Sequence, residues 1–222
     1  MSKLNKIILV PVIIFLYNSC SSDMLDLSPY DEISSGNVWT KASLAELAVT
    51  GVYNNLLYDY NTASQARLNW DTFSSLMDPS SSILSNYSLI LGTVTANHSS
   101  FETYWKIFYE GISRANDVVA NIDKVPDMPD TKKARYKAEC KFIRSYYYYR
   151  LNSLWRGVPV YMEPVEVTDC TKPRSSEAEV WDAIIGDLTD CINEVNLPDK
   201  YDSGNPDYGH ITKAAAYTLR GK

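Results

Sequence analysis

Residues 137–161 have the sequence KAECKFIRSYYYYRLNSLWRGVPVY, which joins a helical pattern to four consecutive tyrosines and a glycine-proline exit. Apolar or small residues recur with the spacing of one helix face at Ala138, Phe142, Ser145, Tyr149 and Asn152. Residues 146–148 spread aromatic surface around the rest, so we predict a helix packed on several sides. Gly157 suits a left-handed C-cap and Pro159 lacks the amide donor of a continuing helix, which should end there. The pattern indicates a buried helix hairpin in a scaffold, not a catalytic motif.

Four more segments carry a helical apolar period, so we predict five helices and an all-α fold. The first runs from near Thr40 to about Tyr58, and the fifth starts near Thr212 and continues through Lys222. The second has an apolar stripe at Trp105, Phe108, Ile112, Ala115, Val119 and Ile122. Capping boxes are predicted for the first, second and fourth helices at Ser43 with Glu46, Ser99 with Glu102, and Ser176 with Glu179.

Helices joined by short breaks favour antiparallel pairs in a tetratricopeptide-like superhelical scaffold, here with a long loop insert at residues 58–98. No closing partner follows the fifth helix in the sequence. We therefore expect residues 39–222 to be an incomplete helical domain whose C-terminal part is missing.

The N-terminus has the pattern of a bacterial lipoprotein signal peptide. Lys3 and Lys6 precede an apolar run at residues 7–17, and Ser19 stands before Cys20. The run is too short for a membrane-spanning helix. We predict a signal peptide at residues 1–19, lipidation of Cys20 and a lipid-anchored tether at residues 20–38. Tyr17 departs from the usual lipoprotein pattern, which leaves a simple secretory signal as the alternative.

The charge balance excludes a nucleic-acid-binding surface. The chain has 21 Lys and Arg against 27 Asp and Glu, and removal of residues 1–19 takes two lysines and no acid. The mature chain then has 19 basic side chains and a net charge of −8. Binding to nucleic acid depends on clustered basic residues, and those of this chain are dispersed among acids.

The cysteines and histidines form no recognisable metal site or cofactor motif. Cys20, Cys140, Cys170 and Cys191 contain no CxxC pair, and the chain has only two histidines, His98 and His210. Cys140 and Cys191 lie on predicted helix faces and are expected to be packed thiols, with Cys170 in a loop. A disulfide between two of these three stays open.

The insert at residues 58–98 is the predicted ligand contact, because it is rich in Ser, Thr and Asn with scattered aromatics. Sugar recognition needs flat aromatic faces together with planar amide or charged groups. Residues with that chemistry are Arg67, Trp70, Asp78, Asn86 and Tyr87. The alternative is that Trp70 and Phe73 pin the loop to the helices while the polar residues cap turns.

No pattern of catalytic residues is present. A glycosidase needs two facing carboxylates, and the acids of this chain are spread over helix faces and the tether. There is no GxSxG motif. The tyrosine cluster is expected to be core, and Glu139 and Arg144 are expected to belong to a structural ion network.

Several blocks together resemble the SusD/RagB family. They are LDLSPYDEISSGNVW, ASLAELAVTGVYNNL, YWKIFYEGISRANDVVANID, AECKFIRSYYYYRLNSLWRGVPV, RSSEAEVWDAIIGDLTDCINEVNLP and GHITKAAAYTLRGK, in family order over nearly all of the mature chain. The third block places Trp105, Tyr109, Gly111, Arg114, Ala115 and Asn116 at recognisable family positions.

The resemblance implies a non-enzymatic surface lipoprotein that binds oligosaccharides or other nutrient oligomers over a TonB-dependent, SusC-like transporter. It also implies that the chain holds the N-terminal half of a longer protein. Two alternatives stay open: a peptide-capturing RagB-like lipoprotein, and a purely transporter-docking scaffold. The expected location is the outer membrane. Asp23, close behind Cys20, favours the cell surface over a periplasm-facing anchor.

Overall fold

The computed structural model describes residues 37–61, 93, 95–165 and 171–222. The predicted signal peptide, Cys20, the tether up to residue 36, almost all of the insert and Cys170 lie outside these residues. The chain divides into two units, Met1–Val38 and Trp39–Lys222, and the five α-helices below belong to the second.

Five α-helices are described, and the described residues contain no strand. They are α1 (Ala42–Asn61), α2 (Ser99–Asn121), α3 (Asp130–Trp155), α4 (Glu177–Asn193) and α5 (Lys213–Arg220). Short 3₁₀ helices span Val38–Thr40 and Ile122–Lys124. Successive helices pack on each other as antiparallel pairs, with α3 between α2 and α4. The predicted all-α fold is therefore confirmed. α3 begins well before the quoted stretch, and α5 ends at Arg220 rather than running through Lys222.

The starts of α4 and α5 are capped by side chains that lie close in the sequence. The Ser176–Glu179 capping box of α4 is confirmed, since each side chain bonds the other residue's backbone N–H. Thr212 likewise caps α5 by accepting from the Ala215 N–H. Both caps join residues three positions apart in the sequence.

The other two predicted capping boxes are wrong. α1 starts one residue before Ser43, and its Ala42 N–H donates to Asp127 Oδ1 at 2.6 Å. Glu46 instead pairs with Lys132 at 2.6 Å. Ser99 is already helical, and Glu102 pairs with Lys106 at 2.8 Å. At α1, residues far away in the sequence replace the predicted local cap. Glu102 instead pairs within its own helix.

The end of α3 is a sharp corner. Arg156 occupies the C-cap with φ 51°, where the sequence predicted Gly157, and Gly157 follows with φ 100°. Arg174 stabilises the corner, since its guanidinium donates to the carbonyls of Trp155, Arg156 and Gly157. A cation at a helix C-terminus also opposes the negative end of the helix dipole. A Cβ on Gly157 would lie 2.6 Å from Ser175 O, so only glycine fits there.

The tyrosine cluster is core, as predicted. Tyr147 and Tyr148 are fully buried, and Tyr146 and Tyr149 pack partly buried against them. Cys140 and Cys191 are free and buried, and burial raises the pKa of both thiols, that of Cys191 to about 12. They are the packed thiols that the sequence predicted.

Gly111 lets α2 lie close against α3. A Cβ there would meet Tyr147 Cε2 at 2.2 Å and Asn55 Nδ2 at 2.6 Å. The Asn55 amide is itself fixed, because Nδ2 donates to Ile107 O and to Tyr147 Oη, both at 3.0 Å. Neither neighbour can move aside without breaking a buried hydrogen bond, and leaving such a group unpaired is costly.

We expect Gly111→Ala to lower the free energy of unfolding by about 1–3 kcal/mol, the usual cost of overpacking a core. Gly186→Ala in α4 is the matched control, since a Cβ there meets nothing within 4 Å. It should be neutral or stabilising by up to about 1 kcal/mol, because alanine favours helix. Urea denaturation of both variants measures the difference. Equal stability of the two would contradict the close approach.

Glu139 of α3 is a fully buried carboxylate that joins three parts of the fold. Its Oε2 accepts from Tyr53 Oη of α1 and bonds His210 Nδ1, both at 3.0 Å. Tyr53 Oη in turn accepts from the Ile211 N–H at 3.0 Å, and Arg135 lies 3.5 Å from Glu139 Oε1. The predicted structural ion network thus exists, but Glu139 and Arg144 belong to separate parts of it.

The Glu139 hydrogen bond raises the pKa of His210 above its ordinary value of about 6.5. The pair of protonated His210 with Glu139 stabilises the fold fully below the ordinary histidine pKa. This stabilisation is lost as the pH rises through the raised pKa of His210. We therefore expect the free energy of unfolding to fall with pH over this range. His210→Gln should flatten the dependence, whereas His98→Gln, the matched control, should keep it. An unchanged slope in His210→Gln would show that the pair does not stabilise the fold.

Candidate functional site

An extended segment at residues 157–163, here called the strap, leaves α3 and lies against α2. Side chains of the two helices bond its backbone. Tyr109 Oη donates to Pro159 O at 2.7 Å. Tyr148 Oη donates to Tyr161 O at 2.9 Å and accepts from the Tyr161 N–H at 2.6 Å. Side chains thus pair several backbone groups of the strap, which has no sheet partner to do so.

Asn116 of α2 holds the far end of the strap. Its Nδ2 donates to Tyr161 O at 3.0 Å and to Glu163 O at 3.1 Å. Its Oδ1 accepts from Arg144 Nη1 at 2.6 Å. The amide is therefore used on both sides, and its orientation is set by Arg144.

Arg144 of α3 is buried and bonds three other elements. Its Nε and Nη2 form a bidentate pair with Asp187 of α4, with both distances 2.7 Å. Its Nη1 bonds Asn116 and also Met162 O of the strap, the latter at 2.7 Å. Burial raises the pKa of the Asp187 carboxyl. The Arg144 guanidinium lowers that pKa, but by less than burial raises it. We name this set the Arg144 node.

A groove of about 500 Å³ opens between α2 and the strap, and we call it the α2 groove. Its walls are aromatic: the Trp105 and Tyr109 rings lie 4.8 Å apart, and Tyr109 and Tyr161 meet edge to face at 6.0 Å. These three rings are only partly buried. The remaining lining residues are Ile112, Ser113, Asn116, Pro159, Glu163, Val165, Thr171 and Lys172.

The rim of the α2 groove is polar and balanced in charge. Ser113, Glu163, Thr171 and Lys172 are exposed there, with one carboxylate and one ammonium among the lining residues. Lys172 Nζ lies 5.0 Å from the centre of the Tyr161 ring. Burial raises the pKa of Tyr109, whose hydroxyl is already bonded to the strap. The groove can thus offer apolar faces and hydrogen bonds, while Tyr109 is poorly suited to proton transfer.

A second hollow of about 450 Å³ adjoins the groove at the N-terminus of α2, and we call it the His98 hollow. Its lining residues are Ala96, Asn97, His98, Phe101, Glu102, Trp105 and Trp155. Trp105 and Trp155 meet edge to face at 5.2 Å. Trp105 therefore contributes to both spaces.

A polar hollow of about 530 Å³ between α3 and α4 is a weaker candidate. Its three lysines each have an acidic partner: Lys133 with Asp130, Lys137 with Asp123 and Lys141 with Asp190. Since the charges are matched within the protein, these pairs are best explained as surface ion pairs, one within α3 and two between α3 and neighbouring elements.

The predicted contacts Arg67, Trp70, Asp78, Asn86 and Tyr87 lie outside the described residues and stay predictions. The α2 groove was not predicted, because Trp105 fits the apolar stripe of its helix. The available signal was Trp105 and Tyr109, one turn apart, with Tyr161 in the exit of the next helix. Spacing alone does not show that this exit returns to α2.

The described residues contain neither a candidate metal-ligand cluster nor a candidate membrane span. No three His, Cys, Asp or Glu side chains within them are grouped to hold a metal ion. Among the described helices, none is both long and apolar enough to cross a bilayer.

Comparison with known proteins gives a consistent result. The SusD-like_3 family model, described as "Starch-binding associating with outer membrane", matches residues 23–222. SusD-like protein P38 of Formosa agariphila is 30% identical over 85% of this chain and 36% of its own length. The chain thus spans little more than a third of that relative.

Solved structures share the fold. A SusD-like protein from Bacteroides fragilis has a TM-score of 0.68 at 23% identity, covering 87% of this chain and 36% of that one. A structure named "Laminarin binding SusD-like protein" has a TM-score of 0.66 at 26% identity, covering 82% of this chain and 40% of that one. On the match to residues 23–222, this chain belongs to the outer-membrane-associated SusD/RagB family.

Proposed function

We propose that the protein is a surface lipoprotein that binds oligosaccharides and passes them to a SusC-like, TonB-dependent transporter. The α2 groove supports the proposed binding of oligosaccharides, because it combines the partly exposed Trp105, Tyr109 and Tyr161 rings with a hydroxyl-bearing rim. Aromatic faces pack on the apolar faces of sugar rings, and the rim can bond hydroxyl groups. Transfer to a transporter is supported only by the family resemblance.

Lipidation at Cys20 would anchor the protein in the outer membrane, with residues 20–38 as the spacer. The family description supports association with that membrane. The Cys20 assignment rests on the lipoprotein-like pattern at residues 1–20.

Binding without catalysis fits the groove chemistry. Glycosidases use two carboxyl groups that flank the bond to be cleaved. Glu163 is the only carboxylate among the described lining residues of the α2 groove. The two carboxylates that are buried among the described residues, Glu139 and Asp187, bond to partners within their own networks.

The insert would supply further contacts through Arg67, Trp70, Asp78, Asn86 and Tyr87. It ends at His98, next to the start of α2, and His98 lines the hollow beside Trp105. This position supports a ligand held between the insert and the helical scaffold.

We expect the purified protein to bind at least one member of a panel of plant, host and bacterial glycans in calorimetry. Trp105→Leu, which removes the flat indole, should weaken that binding at least about tenfold, or about 1.4 kcal/mol. Trp181→Leu on α4 is the matched control, since Trp181 is also partly buried against a tyrosine, at 6.0 Å from Tyr149. It should cost similar stability and leave binding unchanged.

Two results would overturn the proposal. One is that the folded protein binds no glycan of the panel, which would favour peptide capture or a purely transporter-docking role. The other is equal loss of binding in both tryptophan variants, which would assign Trp105 to the fold alone.

A further inference from the structure

A continuous row of aromatic rings joins the α2 groove to the His98 hollow. Phe101 lies 6.4 Å from Trp155, and Trp155 lies 5.2 Å from Trp105. Trp105 continues to Tyr109 at 4.8 Å, and Tyr109 to Tyr161 at 6.0 Å. Trp105 stands between the two spaces and lines both.

Each space alone has the size of a complete small-ligand pocket. The α2 groove measures about 500 Å³ and the His98 hollow about 450 Å³. Small-molecule pockets range from roughly 300 to 1,000 Å³. A short sugar therefore fits in one space, whereas a ligand that contacts both must extend past Trp105.

Hydrogen-bonding groups stand at both ends of this row. The groove end has Thr171, Lys172 and Glu163. The hollow end has the exposed amide of Asn97 and the imidazole of His98. Both ends thus combine an aromatic face with planar or charged polar groups, the combination that fixes sugar hydroxyls.

We infer that the α2 groove and the His98 hollow are two halves of one site, which takes an oligosaccharide long enough to lie on both sides of Trp105. The site then selects by chain length, because only a longer oligomer gains contacts from both halves. This inference rests on the proposed glycan binding and adds the length requirement to it.

Calorimetry with β-1,3-linked and α-1,4-linked glucose oligomers of two to six units provides the test. Wild type should bind the hexamer of at least one series about tenfold more tightly than the dimer. Asn97→Ala removes a contact of the hollow, and Lys172→Ala removes one of the groove. Each should bring the hexamer affinity towards that of the dimer. Asp182→Ala, at an exposed position of α4, is the control and should behave as wild type.

The outcomes separate the two proposals. If wild type binds the glucose dimer and the glucose hexamer equally tightly, the two-part site is overturned, while glycan binding itself still holds. A hexamer affinity unchanged in Asn97→Ala would do the same. Binding of neither series by the folded protein would overturn glucan binding and, with it, the length requirement.

Discussion

The Arg144 guanidinium of α3 has partners from α2, α4 and the strap at once. A buried guanidinium without partners is strongly destabilising, so the fold must bring Asp187, Asn116 and Met162 O around it. The planar, bidentate geometry with Asp187 fixes α3 against α4. The bond to Asn116 fixes α3 against α2, so α2, α3, α4 and the strap are held together at this point.

The groove follows from that arrangement. Asn116, oriented by Arg144, bonds two strap carbonyls, and Tyr148 bonds both polar backbone groups of Tyr161. These contacts place the Tyr161 ring opposite Tyr109 and so form one wall of the α2 groove. The corner at Gly157, closed by Arg174, directs the strap back towards α2. A packing constraint in the core therefore determines the shape of the surface where we propose that sugar binds.

The sequence predicted what depends on neighbouring residues. Helical periods located the five helices, the Ser176–Glu179 box located one helix start, and the density of tyrosines indicated a core helix. Predictions failed where a distant residue competes with a local one, as when Asp127 caps α1 in place of Ser43.

The candidate site was harder to predict for the same reason. Tyr109 and the strap carbonyl that it bonds are 50 residues apart, and Arg144 and Asp187 are 43 apart. No spacing rule connects such pairs. The residues chosen from composition, Trp70 and its neighbours in the insert, stay predictions. The groove that the described structure presents includes Trp105, which the apolar period had assigned to a helix stripe.

The most direct measurement is hydrogen exchange of the strap in Arg144→Met combined with Asp187→Leu. Replacing a buried ion pair with apolar side chains often leaves stability unchanged, whereas Arg144→Met alone should cost about 3–5 kcal/mol. If the node positions the strap, the double variant recovers stability but exchanges faster at residues 157–163. Exchange at residues 199–212, which contact Glu139 through His210, should stay as in wild type. Strap exchange as slow as in wild type would contradict the central role of Arg144.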